Sequence, residues 1–223
     1  MRSQINKKIL LYLFLFILLG TLNNKNINNF KFIDIKEIKV EGLSEDNNSK
    51  LLKNLDFLKF QNIFFINKKK IQKIITSNNL VLNYFVIKQY PSSLIVKISQ
   101  TEFLAYTYKN GELFFIGSNG KLIKEKYDKK DLPIITGNFD NKDFLELKSI
   151  IDDSNFDYKS IKSFIFFPSK RWDLKTEDDV LIKLSQNRLK KNLNLSVKIL
   201  NNDQFQNIKI IDLRQDKQLI INE

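Results

Sequence analysis

The chain has 223 residues, 43% of them hydrophobic, with 37 Lys and Arg against 25 Asp and Glu, a formal net charge of +12, no Cys and no His. Without Cys or His there is no disulfide framework, thiolate metal site, Ser-His triad or Cys-His dyad, which leaves carboxylates, Lys, Tyr and Ser/Thr for any catalysis. The basic residues are mostly Lys scattered among Ile, Asn and Phe, which points away from nucleic acid and toward a solvated surface or attraction to an anionic membrane or wall polymer.

Residues 9–22 form an apolar run preceded by Arg2, Lys7 and Lys8. Fourteen residues make about 21 Å of helix against a hydrocarbon core of about 30 Å. No convincing small-x-small cleavage site follows, so the run reads as a retained transmembrane anchor, its missing length supplied by Lys7 and Lys8 snorkelling and by Ile5 and the Asn-rich flank in the headgroup region. The alternative is a cleaved signal sequence, and both readings export the remainder. The charge bias keeps residues 1–8 cytoplasmic and exports the rest. Asn-rich residues 23–32 read as a linker.

Residues 33–101 then read as a first domain. Ile38 and Val40 alternate with polar neighbours before Gly42, a strand ending in a turn. Leu51, Leu52, Leu55 and Leu58 lie on one face of a helix from about Asn48. Asn67 caps a second helix, with Ile66 and Ile71 as its staple and Ile71, Ile74 and Ile75 as its buried stripe, closed by Asn78 and Asn79. Residues 81–90 and 94–99 are strands joined through Pro91-Ser92-Ser93. The order is strand, helix, helix, strand, strand, with two helices on one face of a small sheet.

Residues 102–223 read as a mostly antiparallel β domain, because turn signals recur at Asn110-Gly111, Asn119-Gly120 and Leu132-Pro133. Residues 144–151 read as a helix, 161–167 and 180–184 as strands about Trp172, 188–195 as a short helix, and 208–213 and 219–221 as the last strands. The pairs Asp152-Asp153 and Asp178-Asp179 sit in polar loops without a matching ligand cluster and read as solvated turns.

These residues resemble the FtsQ/DivIB proteins of bacterial cell division, closer to the FtsQ side. The matching motifs are Ile38-x-Val40-x-Gly42, Val86-x-Lys88-x-Tyr90-Pro91-Ser92-Ser93-Leu94, the turn at Ile116 to Gly120, Leu132-Pro133-x-x-x-Gly137, Arg171-Trp172-Asp173-Leu174 and Ile211-Asp212-Leu213-Arg214. Gln100 and Thr101 depart from the family's Glu-Arg, Phe103 from its Pro, and Gly117 from its turn Asp. The resemblance implies an α+β fold with a single N-terminal transmembrane helix, a POTRA domain and a β domain.

It also implies a non-enzymatic scaffold of the cell inner membrane at the division septum, with no catalytic, cofactor or metal residues. The implied partners are FtsB/FtsL-like coiled-coil division proteins, other divisome membrane proteins and the membrane itself, with no nucleic acid and no small-molecule substrate. The partner-facing residues would be Arg214, Gln215, Asp216, Lys217, Leu219 and Ile221 on an open last strand at 215–221, Gln215 standing where relatives can have Tyr. Trp172 reads as core, and Arg171, Asp173 and Asp212 as structural partners of the same motifs. The rival readings are a POTRA-containing subunit of a secretion or outer-membrane assembly system and an anchored wall hydrolase with paired carboxylates.

Overall fold

The computed structural model describes residues 7–22, 33–205, 207–215 and 218–222. The chain divides into two compact units, one running to Ile75 and taking in Tyr84–Ile98, the other formed by Thr76–Asn83 and Ser99 onward.

Helix α1 (Lys7–Leu22) starts two residues before the apolar run, and its apolar side chains from Ile9 to Leu19 are exposed all round. Its 16 residues span about 24 Å, short of a bilayer's hydrocarbon core. Among the described residues no helix is long and apolar enough to cross a membrane. The expected anchor at residues 9–22 is thus a helix of 16 residues, longer than the apolar run but shorter than a full span, and residues 1–6 and 23–32 on either side lie outside the described residues.

The first unit is built on the expected order: β1 (Glu37–Glu41), α2 (Glu45–Leu55), α3 (Lys68–Thr76), β2 (Val81–Gln89) and β3 (Ser93–Gln100). Its sheet runs β1-β3-β2, with β1 parallel to β3 and Ile38 and Val40 opposite Leu94 and Val96. These side chains meet Leu51, Leu55, Ile71 and Ile75 from the helices, all buried, so alternation in the strands and the helical period point at one core. Asn67 caps α3 by accepting from the Lys70 amide at 3.1 Å. Ile74, expected in the stripe, is only half-buried. Helix α2 starts earlier than expected because the Asn48 side chain lies inside its first turn, bonding both backbone groups of Leu43. Gly42 has φ +111, and a Cβ there would lie 1.9 Å from the Ile98 carbonyl oxygen.

The second unit holds β4 (Phe103–Lys109), β5 (Glu112–Gly117), β6 (Leu122–Ile123), β7 (Ile134–Thr136), α4 (Asn141–Asp152), β8 (Ile161–Phe166), β9 (Trp172–Thr176), β10 (Leu181–Leu184), α5 (Leu189–Leu200), β11 (Ile210–Leu213) and β12 (Ile220–Asn222). One nine-stranded sheet runs β12-β11-β10-β9-β8-β7-β4-β5-β6. Five of its eight neighbour pairs are antiparallel; β4 with β7, β7 with β8 and β10 with β11 are parallel. A parallel neighbour cannot be reached through a hairpin, so α4 carries the chain from β7 to β8 and α5 from β10 to β11. Helix α5 runs to Leu200, a turn beyond the expected end, and α4 and α5 touch each other as both bury side chains in one apolar cluster.

That cluster centres on Trp172. Its ring lies 4.7 to 6.4 Å, centroid to centroid, from those of Phe139, Phe144, Phe164 and Phe166, and it is 4% exposed. Gly137, at φ +103, closes on the same layer, where a Cβ would stand 2.2 Å from the Phe166 carbonyl oxygen. Truncating Trp172 to Ala should cost about 3 to 5 kcal/mol of unfolding free energy in a urea titration. Gly137→Ala should also destabilise the sheet, through backbone that cannot give way, whereas removing an exposed side chain such as Phe85 should change stability by about 0.5 kcal/mol or less.

Candidate partner-binding edge

The last described strand is also an edge of the sheet. Strand β12 pairs antiparallel with β11, Ile221 opposite Ile211 and Ile220 opposite Asp212, and no described strand covers its other side. Ile221 faces the core and is half-buried, whereas Leu219 and Ile220 are 43% and 53% exposed. The strand is shorter than the expected 215–221, because the Arg214 amide donates to the Asp212 Oδ1 at 3.1 Å and turns the chain at the end of β11. Asp216 and Lys217, expected to face a partner, lie outside the described residues.

Behind the edge, one row of charge crosses three strands. Asp173 on β9 is opposite Lys183 on β10, which is opposite Asp212 on β11. An arginine two residues from each carboxylate closes on it. Arg171 Nε donates to Asp173 Oδ1 at 3.0 Å, and Arg214 Nε reaches Asp212 Oδ1 and Oδ2 at 2.8 and 2.9 Å while its Nη2 also donates to Oδ2. The two carboxylates are tuned in opposite directions. The Arg214 guanidinium, against the smaller effect of burial, holds the Asp212 carboxyl below the ordinary range. Burial pushes Asp173 up, opposed by Arg171, Lys183 and Arg214.

The same arginines open onto a cleft of about 460 Å³ lined by Ser169, Arg171, Ser185, Gln186, Asn187, Arg188 and Arg214. The chain has four arginines among 33 lysines, and three of the four line this cleft. A guanidinium presents a planar fork of donors that matches a carboxylate, where an ammonium offers a point charge. A smaller groove of about 240 Å³ adjoins it, with Arg188, Leu195, Leu213, Gln215, Gln218 and Leu219 among its walls. Helix α5 is fixed to this groove by the buried Asn192 amide, which donates to the Leu213 carbonyl at 2.9 Å.

Of the residues singled out from sequence, Arg171, Asp173, Asp212 and Arg214 are brought together, and Gln215, Leu219 and Ile221 flank them; Trp172 is core. Arg188 and residues 185–187 belong to no local motif, so sequence reasoning passes over them. The signal that could have found Arg188 is its rarity in a Lys-dominated chain. The paired aspartates expected in turns are engaged by lysines: Asp152 by Lys148, and Asp179 by Lys162 and Lys175 at 2.9 Å each, which draws its carboxyl down to about 2.

Two family models match the chain. "POTRA domain, FtsQ-type" matches residues 33–100, and "Cell division protein FtsQ/DivIB, C-terminal" matches residues 105–214. Among similar proteins, "Cell division protein DivIB" of Clostridium botulinum (strain Loch Maree) is 24% identical over 93% of this chain and 86% of its own. "Cell division protein FtsQ" of Rickettsia bellii is 24% identical over 85% of this chain and 72% of its own. A solved structure of the major extracytoplasmic domain of DivIB from Geobacillus stearothermophilus matches 43% of this chain and 87% of that one, at 18% identity and a TM-score of 0.34.

The opposed tuning of the two carboxylates has an observable sign. A depressed folded pKa gives stability that is present above the unfolded value, about 3.9, and lost as pH falls through the folded one. A raised folded pKa gives stability that is present at low pH and lost as pH rises through it. The cost of Asp212→Asn, read from urea titrations, should therefore be largest near neutral pH and shrink below about pH 4. Asp173→Asn should show the reverse slope, costing more as pH falls.

Proposed function

The chain belongs to the FtsQ/DivIB family of bacterial cell division proteins, and we propose that it acts in the divisome as a non-enzymatic membrane scaffold whose second domain captures a partner chain on strand β12. In this reading residues 1–8 are a cytoplasmic tail, and α1 anchors the chain in the inner membrane with Lys7 and Lys8 at one headgroup layer. Residues 23–32 are the linker, 33–101 the POTRA domain and 102–223 the recruiting domain.

The observation that carries the proposal is the position of β12. An uncovered edge strand offers a row of unpaired N–H and C=O groups, and an extended segment laid along it gains main-chain hydrogen bonds at once. Register then comes from side chains. Leu219 and Ile220 give an apolar contact, and Arg171, Arg188 and Arg214 line the cleft beside it with guanidinium donors, two of them already paired with Asp173 and Asp212. A segment alternating apolar and hydrogen-bond-accepting residues therefore fits this border. By family resemblance the segment belongs to an FtsB/FtsL-like coiled-coil protein. Gln215 lies before the strand, and its standing in place of an aromatic residue leaves Leu219 as the main apolar anchor.

Successive N–H groups along a strand point to opposite neighbours, so of Ile220 and Ile221 one donates to β11 and the other to the open side. Placing Pro at each position in turn removes one donor apiece. The outward variant should weaken capture of the FtsB/FtsL-like pair by about 0.5 to 1.5 kcal/mol, roughly two- to twelvefold in affinity, with little change in melting temperature. Trp172→Ala is the complementary control, lowering the melting temperature while its folded fraction still binds. If both Pro variants melt like the parent and capture the partner equally well, β12 is not the recruiting edge.

A further inference from the structure

We propose that residues 57–66 of the first unit form a membrane-surface contact that seats on an anionic lipid bilayer. Phe60, Phe64 and Phe65 are 81%, 53% and 84% exposed in this short loop, although the loop already buries Leu58, Ile63 and Ile66 in the core. The rings of Phe60 and Phe65 are therefore surplus to folding. The loop is also held in shape. The Phe60 amide donates to the Ile35 carbonyl at 2.9 Å, the Ile63 amide to the Ile33 carbonyl at 3.0 Å, and Asp34 bridges Asn62. Phe64 is stacked on Tyr90 at 5.2 Å, and Phe60 is kept outward at φ +65, a conformation a bulky side chain rarely adopts.

Two further observations name the occupant. The loop pairs with residues 33–35, the first described residues after the linker. Ten linker residues follow α1, and a chain of that length reaches at most about 36 Å, so if α1 is in the membrane this loop is held within reach of the lipid headgroups. The charge is also mostly of one sign: residues 57–101 contain seven lysines and no Asp or Glu, and of the two acidic residues beside the loop, Asp34 and Asp56, the second is paired with Lys59. Lys68, Lys69 and Lys70 follow the loop directly, Lys70 Nζ sits 3.9 Å from the centroid of the Phe57 ring, and Lys88 Nζ lies 3.4 Å from the Phe64 carbonyl oxygen. Phe side chains bury at the boundary of headgroups and acyl chains, and each lysine near an anionic surface adds attraction that salt screens. A protein groove would account for the rings but leave the linker geometry and the excess of lysine without a role.

The inference rests on α1 being membrane-inserted, and the test separates the two. The chain has no cysteine, so single-site labels are clean. Phe65→Cys, Phe16→Cys and Glu146→Cys, each in the full chain, carry an environment-sensitive fluorophore in vesicles of phosphatidylethanolamine with phosphatidylglycerol, or of phosphatidylcholine alone, doped with nitroxide lipids. The label at position 16 should be quenched in both vesicles and the label at 146 in neither. The label at 65 should be quenched in the anionic vesicles only, with the quenching reduced by about half when Lys68→Glu and Lys69→Glu are added. A label at 65 no more quenched than that at 146, with 16 quenched, overturns the loop contact and leaves the anchor standing. An unquenched label at 16 overturns both. A label at 65 shielded from aqueous iodide yet unquenched by nitroxide lipids means that a protein covers the loop, and also overturns the proposal.

Discussion

The free edge at β12 depends on the parallel pairing of β10 with β11. Two strands side by side and running the same way need a crossover, and α5 is that crossover. The crossover fills a helix layer with Leu193 and Ile199 and pins itself to the end of β11 through Asn192 and the Leu213 carbonyl. Strand β11 is then committed on its inner side, and only its outer side remains for the chain to double back on as β12. That strand is short and has no described strand beyond it. Lengthening it toward Arg214 is opposed by the turn that Asp212 imposes on the Arg214 amide.

The charged row is built around a cost. A carboxylate as buried as Asp173 is expensive without partners, and the structure supplies Arg171 from just before its own strand and Lys183 from the next. Asp212, better served by Arg214, lies on the favourable side of the same balance. Both arginines also border the cleft, so they serve the fold through carboxylate contacts while part of each lines an open surface. Arg214 is the more open of the two, and it stands closest in the chain to the edge strand.

Much of this is legible in the sequence wherever the signal is local. The Asn67 cap, the Ile71 and Ile75 stripe, the alternation of Ile38 and Val40, and the turn at Asn110-Gly111 each carry their own physical reason within a few residues. Trp172 is legible as core because a ring of its size, in an alternating strand, has few other places to go. The parallel neighbours are not legible, since alternation tells which face a strand buries and nothing about which strand lies beside it. The arginine cleft is hidden for a related reason: residues 171, 188 and 214 come from three separate segments, and only the sheet order brings them together. The length of β12 departs from expectation because the side-chain turn at Asp212 ends β11 and the polar residues after it do not favour a strand.

Pairing of a partner chain along the free side of β12 can be read directly by amide hydrogen exchange. The exchange is measured by mass spectrometry with and without the FtsB/FtsL-like pair. Amides in residues 218–222 should gain protection on binding, while those of β11, already bonded on both sides, should change little. Protection that appears instead at β6, the other end of the sheet, or in the first unit, with β12 exchanging at its free rate, would contradict a recruiting role for this edge.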